Sequence, residues 1–134
     1  MALTDYESVI QLWTGCDGVY MHGDFSETYE GMEGFLRRNP EMSFVALDGE
    51  EIVGAVLGSH DGRRGFINHL AVLKSYRRRG IARLLVENVI YALKGEGIQK
   101  IVIFILKNNS NARAFWRRVG YTDETIIDVY SIVV

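Results

Sequence analysis

Residues 68–85 read Asn68-His69-Leu70-Ala71-Val72-Leu73-Lys74-Ser75-Tyr76-Arg77-Arg78-Arg79-Gly80-Ile81-Ala82-Arg83-Leu84-Leu85, and this stretch decides the fold. An apolar strand, expected over residues 66–73, runs into a short basic turn. A helix follows over about residues 80–94, with Ile81, Leu85, Val89 and Leu93 spaced as one buried stripe. A glycine and small residues opening a helix leave backbone N–H groups unpaired, at the end where the helix dipole concentrates positive charge. Arg77, Arg78 and Arg79 add full charges and forked donors suited to phosphate oxygens. The turn is therefore expected to cradle a pyrophosphate. A dinucleotide-binding turn is excluded by spacing, because the chain has no Gly-x-Gly-x-x-Gly and no acidic residue closes a following strand.

Downstream stands a second motif, Asn109-x-x-Ala112-x-x-Phe115-Trp116-x-x-x-Gly120-Tyr121. Together with Arg77-x-x-Gly80-x-Ala82 after Leu70-Ala71-Val72, it resembles the signatures of the GNAT family of N-acetyltransferases. The resemblance spans nearly the whole chain and implies one domain over residues 1–134. Its fold class would be α/β (α+β): a mixed sheet of about six strands, helices on both faces, and a splay between the fourth and fifth strands. It further implies acetyl-CoA as acyl donor, transfer to a primary amine by direct attack, and no metal. Leu70, Ala71 and Val72 would pair with the pantetheine arm, and Arg77, Arg78, Arg79, Gly80, Ile81 and Ala82 would hold the pyrophosphate. Asn109, Ala112 and Phe115 would lie beside the arm.

Two departures from the family pattern affect the chemistry. The tyrosine that commonly protonates the leaving thiolate falls at Trp116, whose indole N–H is no useful acid. A glutamate that some members carry on the fifth strand falls at about Phe104. Asn68 and His69 stand where other members often hold an acid, so His69 is a candidate base, although strand alternation leaves open which face it takes. Tyr121 is a candidate acid, with a core aromatic as the alternative. Poor base catalysis would favour amines of low pKa. Deprotonating a lysine at pH 7 costs roughly 4.6 kcal/mol, against about 1 for an α-amino group. The acceptor is accordingly expected to be a small-molecule amine or a protein amino terminus. The alternative function is a catalytically silent acyl-CoA-binding or sensing module.

The remainder of the chain fits around this centre. With 134 residues, 48% hydrophobic and 24% charged, the composition is that of an ordinary globular domain. A net charge of −2 argues against general nucleic-acid binding. The longest apolar run, residues 101–106, is far too short for a membrane span, and no signal-peptide pattern is visible, so a cytoplasmic location is expected. The one cysteine, Cys16, excludes an internal disulfide and is read as a loop thiol.

Thr4-Asp5-Tyr6-Glu7 reads as a capping box for a helix burying Tyr6, Val9, Ile10 and Trp13. Only Met1 to Leu3 precede it, so the family's first strand would be short or absent, leaving a sheet edge open to a partner chain such as a second copy. The loop over residues 15–26 carries Asp17, Tyr20, His22, Asp24 and Phe25. The resemblance places it in the acceptor wall, where acidic and aromatic groups would suit a cationic amine. A helix to about Arg38 follows, with Tyr29, Met32, Phe35 and Leu36 inward, stopped by Asn39-Pro40. Strands are expected over residues 43–47 and 52–59, joined at Asp48-Gly49, and Asp61-Gly62 turns into the central strand. A strand over 100–106, parallel to its predecessor and covered on both faces, would precede a helix over 110–119 burying Ala112, Phe115, Trp116 and Val119. The chain would end in an apolar strand over 125–133.

Overall fold

The computed structural model describes residues 1–134. Helix α1 (Tyr6–Thr14) and helix α2 (Tyr29–Arg38) come first, then strands β1 (Phe44–Asp48), β2 (Glu51–His60) and β3 (Gly65–Val72). Helix α3 (Ile81–Gly95), strand β4 (Ile101–Ile103) and helix α4 (Ser110–Arg118) complete the order. The strands lie in sequence order, antiparallel through β1, β2 and β3, with β4 parallel to β3 as a helical crossover requires.

The centre of the sheet is buried on both faces, and β2 shows why. Val56 belongs to the core shared with Leu85, Val86, Val89 and Leu93 of α3. Its neighbours Ala55 and Leu57 belong to the opposite core, with Val9, Leu12 and Trp13 of α1 and Met32 of α2. Glycine lets α3 sit close to the strand. A Cβ at Gly58 would lie 2.3 Å from the Met42 carbonyl oxygen and 2.6 Å from Val89 Cγ1. Gly49, at φ 60°, makes the turn from β1 to β2 where Asp48-Gly49 signals it.

The sheet has four strands, where about six are expected. No strand precedes α1; residues Leu3–Asp5 form a 3-10 turn instead, and α1 starts without a side-chain cap from Thr4 or Asp5. The capping box is absent because the Asp5 carboxylate accepts from the Ala2 N–H, one turn earlier. The strand expected over 100–106 pairs only at Ile101–Ile103, and Phe104 stays 59% exposed. It is therefore not covered on both faces. The strand expected over 125–133 does not form. An outer strand needs a ladder to join, and β4 offers three residues, so Ile126, Val129 and Tyr130 remain exposed.

Candidate active site

The site begins where two strands separate. β3 pairs with β4 at Gly65, Phe66 and Ile67 and no further, while it stays paired with β2 as far as Val72. From Asn68 to Val72 one edge of β3 is therefore open, which is the splay expected between two parallel neighbours. The Leu73 N–H is spent on the Val53 carbonyl at 2.8 Å. By strand alternation, the Val72 N–H then faces the open edge. The Val72 carbonyl on that side accepts from Arg77 Nε at 3.0 Å. Arg77, an exposed residue, thus turns its guanidinium back onto the end of the edge, and a second guanidinium nitrogen lies 3.9 Å from Cys16 Sγ. Cys16 is correspondingly buried.

Beyond Arg77 the turn is held by backbone conformation. Arg78 and Gly80 have φ of 65° and 81°, and Gly80 caps α3 without a side-chain hydrogen bond. The first helical bond runs from the Leu84 N–H to the Gly80 carbonyl, so the N–H groups of Ile81, Ala82 and Arg83 have no helical acceptor. A Cβ placed on Gly80 would meet nothing within 4 Å, so the mouth of this nest is open. Arg78 and Arg79 are exposed at its rim. Arg79 stacks 5.0 Å over the ring of Tyr76, whose hydroxyl donates to Asp48 Oδ2 at 2.7 Å. Phosphate oxygens would find backbone donors, a helix N-terminus and the guanidinium groups of Arg78 and Arg79 here, the latter stacked on Tyr76.

The second motif flanks this opening. Asn109 Oδ1 accepts from the Ala112 N–H at 2.9 Å, capping α4. Its amide nitrogen reaches the α1–α2 loop, close to where a Cβ on Gly18 would sit. Ala112 and Phe115 are half-buried against the α3 core. Trp116, only 7% exposed, is a member of that core and packs edge-on to Tyr121 at 4.9 Å. Burial pushes the Tyr121 phenol up to about 12.

His69 occupies the one irregularity of β3. Ala71 pairs with Ala55 and Asn68 with Leu57, so His69 and Leu70 together oppose Val56 in a β-bulge. His69 takes φ 52°, a left-handed conformation that histidine adopts more readily than most residues. The bulge settles its direction. Ile67 and Leu70 both join the α3 core, whereas His69 packs edge-on to Trp13 of α1 at 4.9 Å. Regular alternation would have put His69 on the face of Ile67. Asn68 is half-buried beside it.

On that face His69 meets Glu27, a residue the sequence did not single out. Glu27 Oε1 lies 3.7 Å from His69 Nε2, long for a direct hydrogen bond but close enough for charge to act. Both Glu27 oxygens are anchored, accepting from the N–H groups of His22 and Gly23 at 2.7 Å. Burial lowers the pKa of His69 below its ordinary 6.5, and the Glu27 carboxylate offsets part of that shift. The imidazole is therefore neutral at pH 7 and able to take a proton. Glu27, but not His69 itself, also lines a cleft of about 380 Å³ shared with Tyr6, Ile10, Met21, Asp24 and Tyr29, among others. Hydrogen bonds from Ser26 hold the Asp24 carboxyl below its usual range, so the cleft carries negative charge at neutral pH. No three His, Cys, Asp or Glu side chains converge as a metal site, and no helix is long and apolar enough to cross a membrane.

Known proteins resemble this chain in family and fold. The sequence profile described as the acetyltransferase (GNAT) family matches residues 6–121. An acetyltransferase of Yersinia pestis (strain Pestoides F) is 32% identical over 124 residues, 92% of this chain and 86% of that protein. The N-alpha-acetyltransferase 30 of Schizosaccharomyces pombe is 37% identical over 105 residues, 73% of this chain and 70% of its own. Among solved structures, a chain of the NatC complex bound to Gag peptide and CoA superimposes with a TM-score of 0.72. It is 25% identical, with 88% of this chain and 77% of that one covered.

Proposed function

The chain belongs to the GNAT family of acetyltransferases, and on that premise we propose that it moves the acetyl group of acetyl-CoA directly onto an α-amino group. The observation that carries this reading is the continuity of the open edge with the nest. The open edge of β3, from Asn68 to Val72, leads through the 3-10 turn Lys74–Tyr76 and the basic turn after it to the uncapped N-terminus of α3. Bound acetyl-CoA supplies an activated acyl group. Its amide-bearing arm matches an unpaired strand edge, and its phosphates match the amides of Ile81 and Ala82 with Arg78 and Arg79.

Each remaining step falls to the chain's own groups. The Val72 N–H polarises the thioester carbonyl as negative charge gathers on its oxygen. The cleft beside Asp24 and Tyr29 attracts a cationic amine, and neutral His69 removes its proton. Tyr121 was the candidate acid on sequence grounds. A phenol pushed up to about 12 by burial is a poor proton donor to a thiolate of ordinary pKa ~8.5, and its ring packs on Trp116, so we assign that protonation to solvent and Tyr121 to packing.

An α-amine is favoured over a lysine because it is far more often unprotonated at pH 7. The Schizosaccharomyces relative, named as an N-alpha-acetyltransferase, supports the same choice. The test is acetyl-CoA turnover over a panel of small amines and peptide amino termini, read as free thiol. Release that depends on the amine supports transfer, whereas tight acetyl-CoA binding without release on any amine would favour the silent acyl-CoA-binding module.

A further inference from the structure

Glu27 sits at the end of a 3-10 turn with a side chain only 12% exposed, and the acyl-donor cradle makes no use of it. Buried carboxylates are costly unless their oxygens are satisfied, and here both are anchored on backbone N–H groups of His22 and Gly23. The anchoring leaves the carboxylate no freedom to swing, yet it stands beside Nε2 of a histidine displaced onto this face by a bulge. We propose that Glu27 is a positioning residue for acetyl transfer, fixing the ring and tautomer of His69 so that His69 can take the acceptor's proton. The inference rests on the acetyl-transfer reading above.

A carboxylate beside Nε2 favours the proton on that nitrogen and leaves the lone pair on Nδ1. The edge-on contact with Trp13, itself 1% exposed, restrains the ring from the other side. The step balances without a further reagent. The N–C bond to the acyl carbon forms and the C–S bond breaks. The amine proton passes to Nδ1 and from there to solvent, while the departing thiolate takes a proton from solvent. The charged or titratable groups near His69 are Glu27 from the 3-10 turn and His22 from the loop before it. Helix α1 presents Trp13, and β2 opposes the bulge with Val56, neither of which titrates.

Three readouts on the full chain test this. They are the pH profile of turnover, the split between kcat and KM for acetyl-CoA, and the NMR titration of the His69 ring. Glu27→Gln should lower kcat by roughly tenfold or more, less than loss of the base itself, while KM for acetyl-CoA holds. Because the carboxylate raises the affinity of His69 for protons, its loss should move both the ring titration and the acid limb of the profile to lower pH, together. A role confined to holding the loop would lower melting temperature and leave the acid limb in place, and that result overturns the inference. Retained kcat overturns it too. Should Glu27→Gln fail to fold, Glu27→Asp keeps the charge but withdraws it by one methylene. In that variant kcat should fall while the acid limb stays near its wild-type position, and an unchanged kcat is the contrary result. Wild-type protein that acetylates no amine defeats the reading of transfer, and this inference with it. Active protein with a static acid limb defeats the inference alone.

Discussion

The two halves of the site are made from different material. In one half of the candidate site the groups exposed are mainly backbone: the open edge from Asn68 to Val72, the left-handed Arg78 and Gly80, and an uncapped helix start. Across the strand, at His69, the groups on offer are side chains drawn from α1, the following loop and the β3 bulge. A backbone site depends on glycine and on helix geometry, so it fails when a residue cannot adopt the conformation or blocks the opening. A side-chain site depends on the positions of a few atoms, so it fails through lost chemistry while binding elsewhere survives. This contrast predicts that substitutions in one half spare the other.

The largest expected effect lies in the backbone half. Gly80→Glu would bring a carboxylate into the proposed phosphate cradle, and each charge-assisted contact disturbed is worth about 1.5–3 kcal/mol. Coenzyme A affinity should fall a hundredfold or more by calorimetry. Because a Cβ there meets no protein atom, the fold should persist, with only the left-handed strain of about 1–2 kcal/mol. Unchanged affinity in a folded variant would erase the contrast.

His69→Ala should do the opposite, leaving coenzyme A affinity intact and lowering kcat by about 10²-fold or more. In the wild type, activity should fall as pH drops through the pKa of His69, which burial holds below 6.5. The variant should lose this acid limb and follow only the fraction of free amine. An acid limb that survives the substitution would place the base elsewhere.

The backbone half was legible in the sequence for a physical reason. Its parts are contiguous, and glycine before a helix has few structural meanings, so Arg77 to Ala82 announced both the nest and α3. The side-chain half was not. Glu27 and His69 are far apart in sequence, and the bulge that turns His69 toward Glu27 leaves no periodic mark. Arg77 shows the limit from the other direction. Its charge suggested a phosphate ligand, whereas its guanidinium is committed to the Val72 carbonyl. The final strand was misread because an apolar run specifies burial, not a partner, and β4 is too short to supply one.

Trp116 provides a smaller test, since it belongs to neither half. Its ring is buried among Val86, Val89 and Phe115, so Trp116→Tyr should cost about 1–3 kcal/mol of stability by denaturant unfolding. Coenzyme A affinity should not change. A gain in turnover would instead place position 116 beside the reacting sulfur.

The smallest expected effect is on stability against acid. The folded-state pKa of His69 is depressed, so the unfolded chain binds more protons below pH 6.5. This contribution is complete above 6.5 and is lost as pH falls through the folded value. Melting temperature should decline over that window, and His69→Gln should flatten the decline. An identical slope in both proteins would mean that His69 is not desolvated as its packing against Trp13 implies.

The most direct measurement of α-amino transfer uses one peptide bearing a free amino terminus and an internal lysine. It is incubated with acetyl-CoA at pH 7, and the acetylated site is read by mass spectrometry. An α-amine with pKa near 7.7–8 offers roughly several hundred times more free base than a lysine at 10.4. Acetylation is predicted at the terminus, with the lysine left free and thiol released in equal amount. Acetylation of the lysine in preference to the terminus would contradict the account.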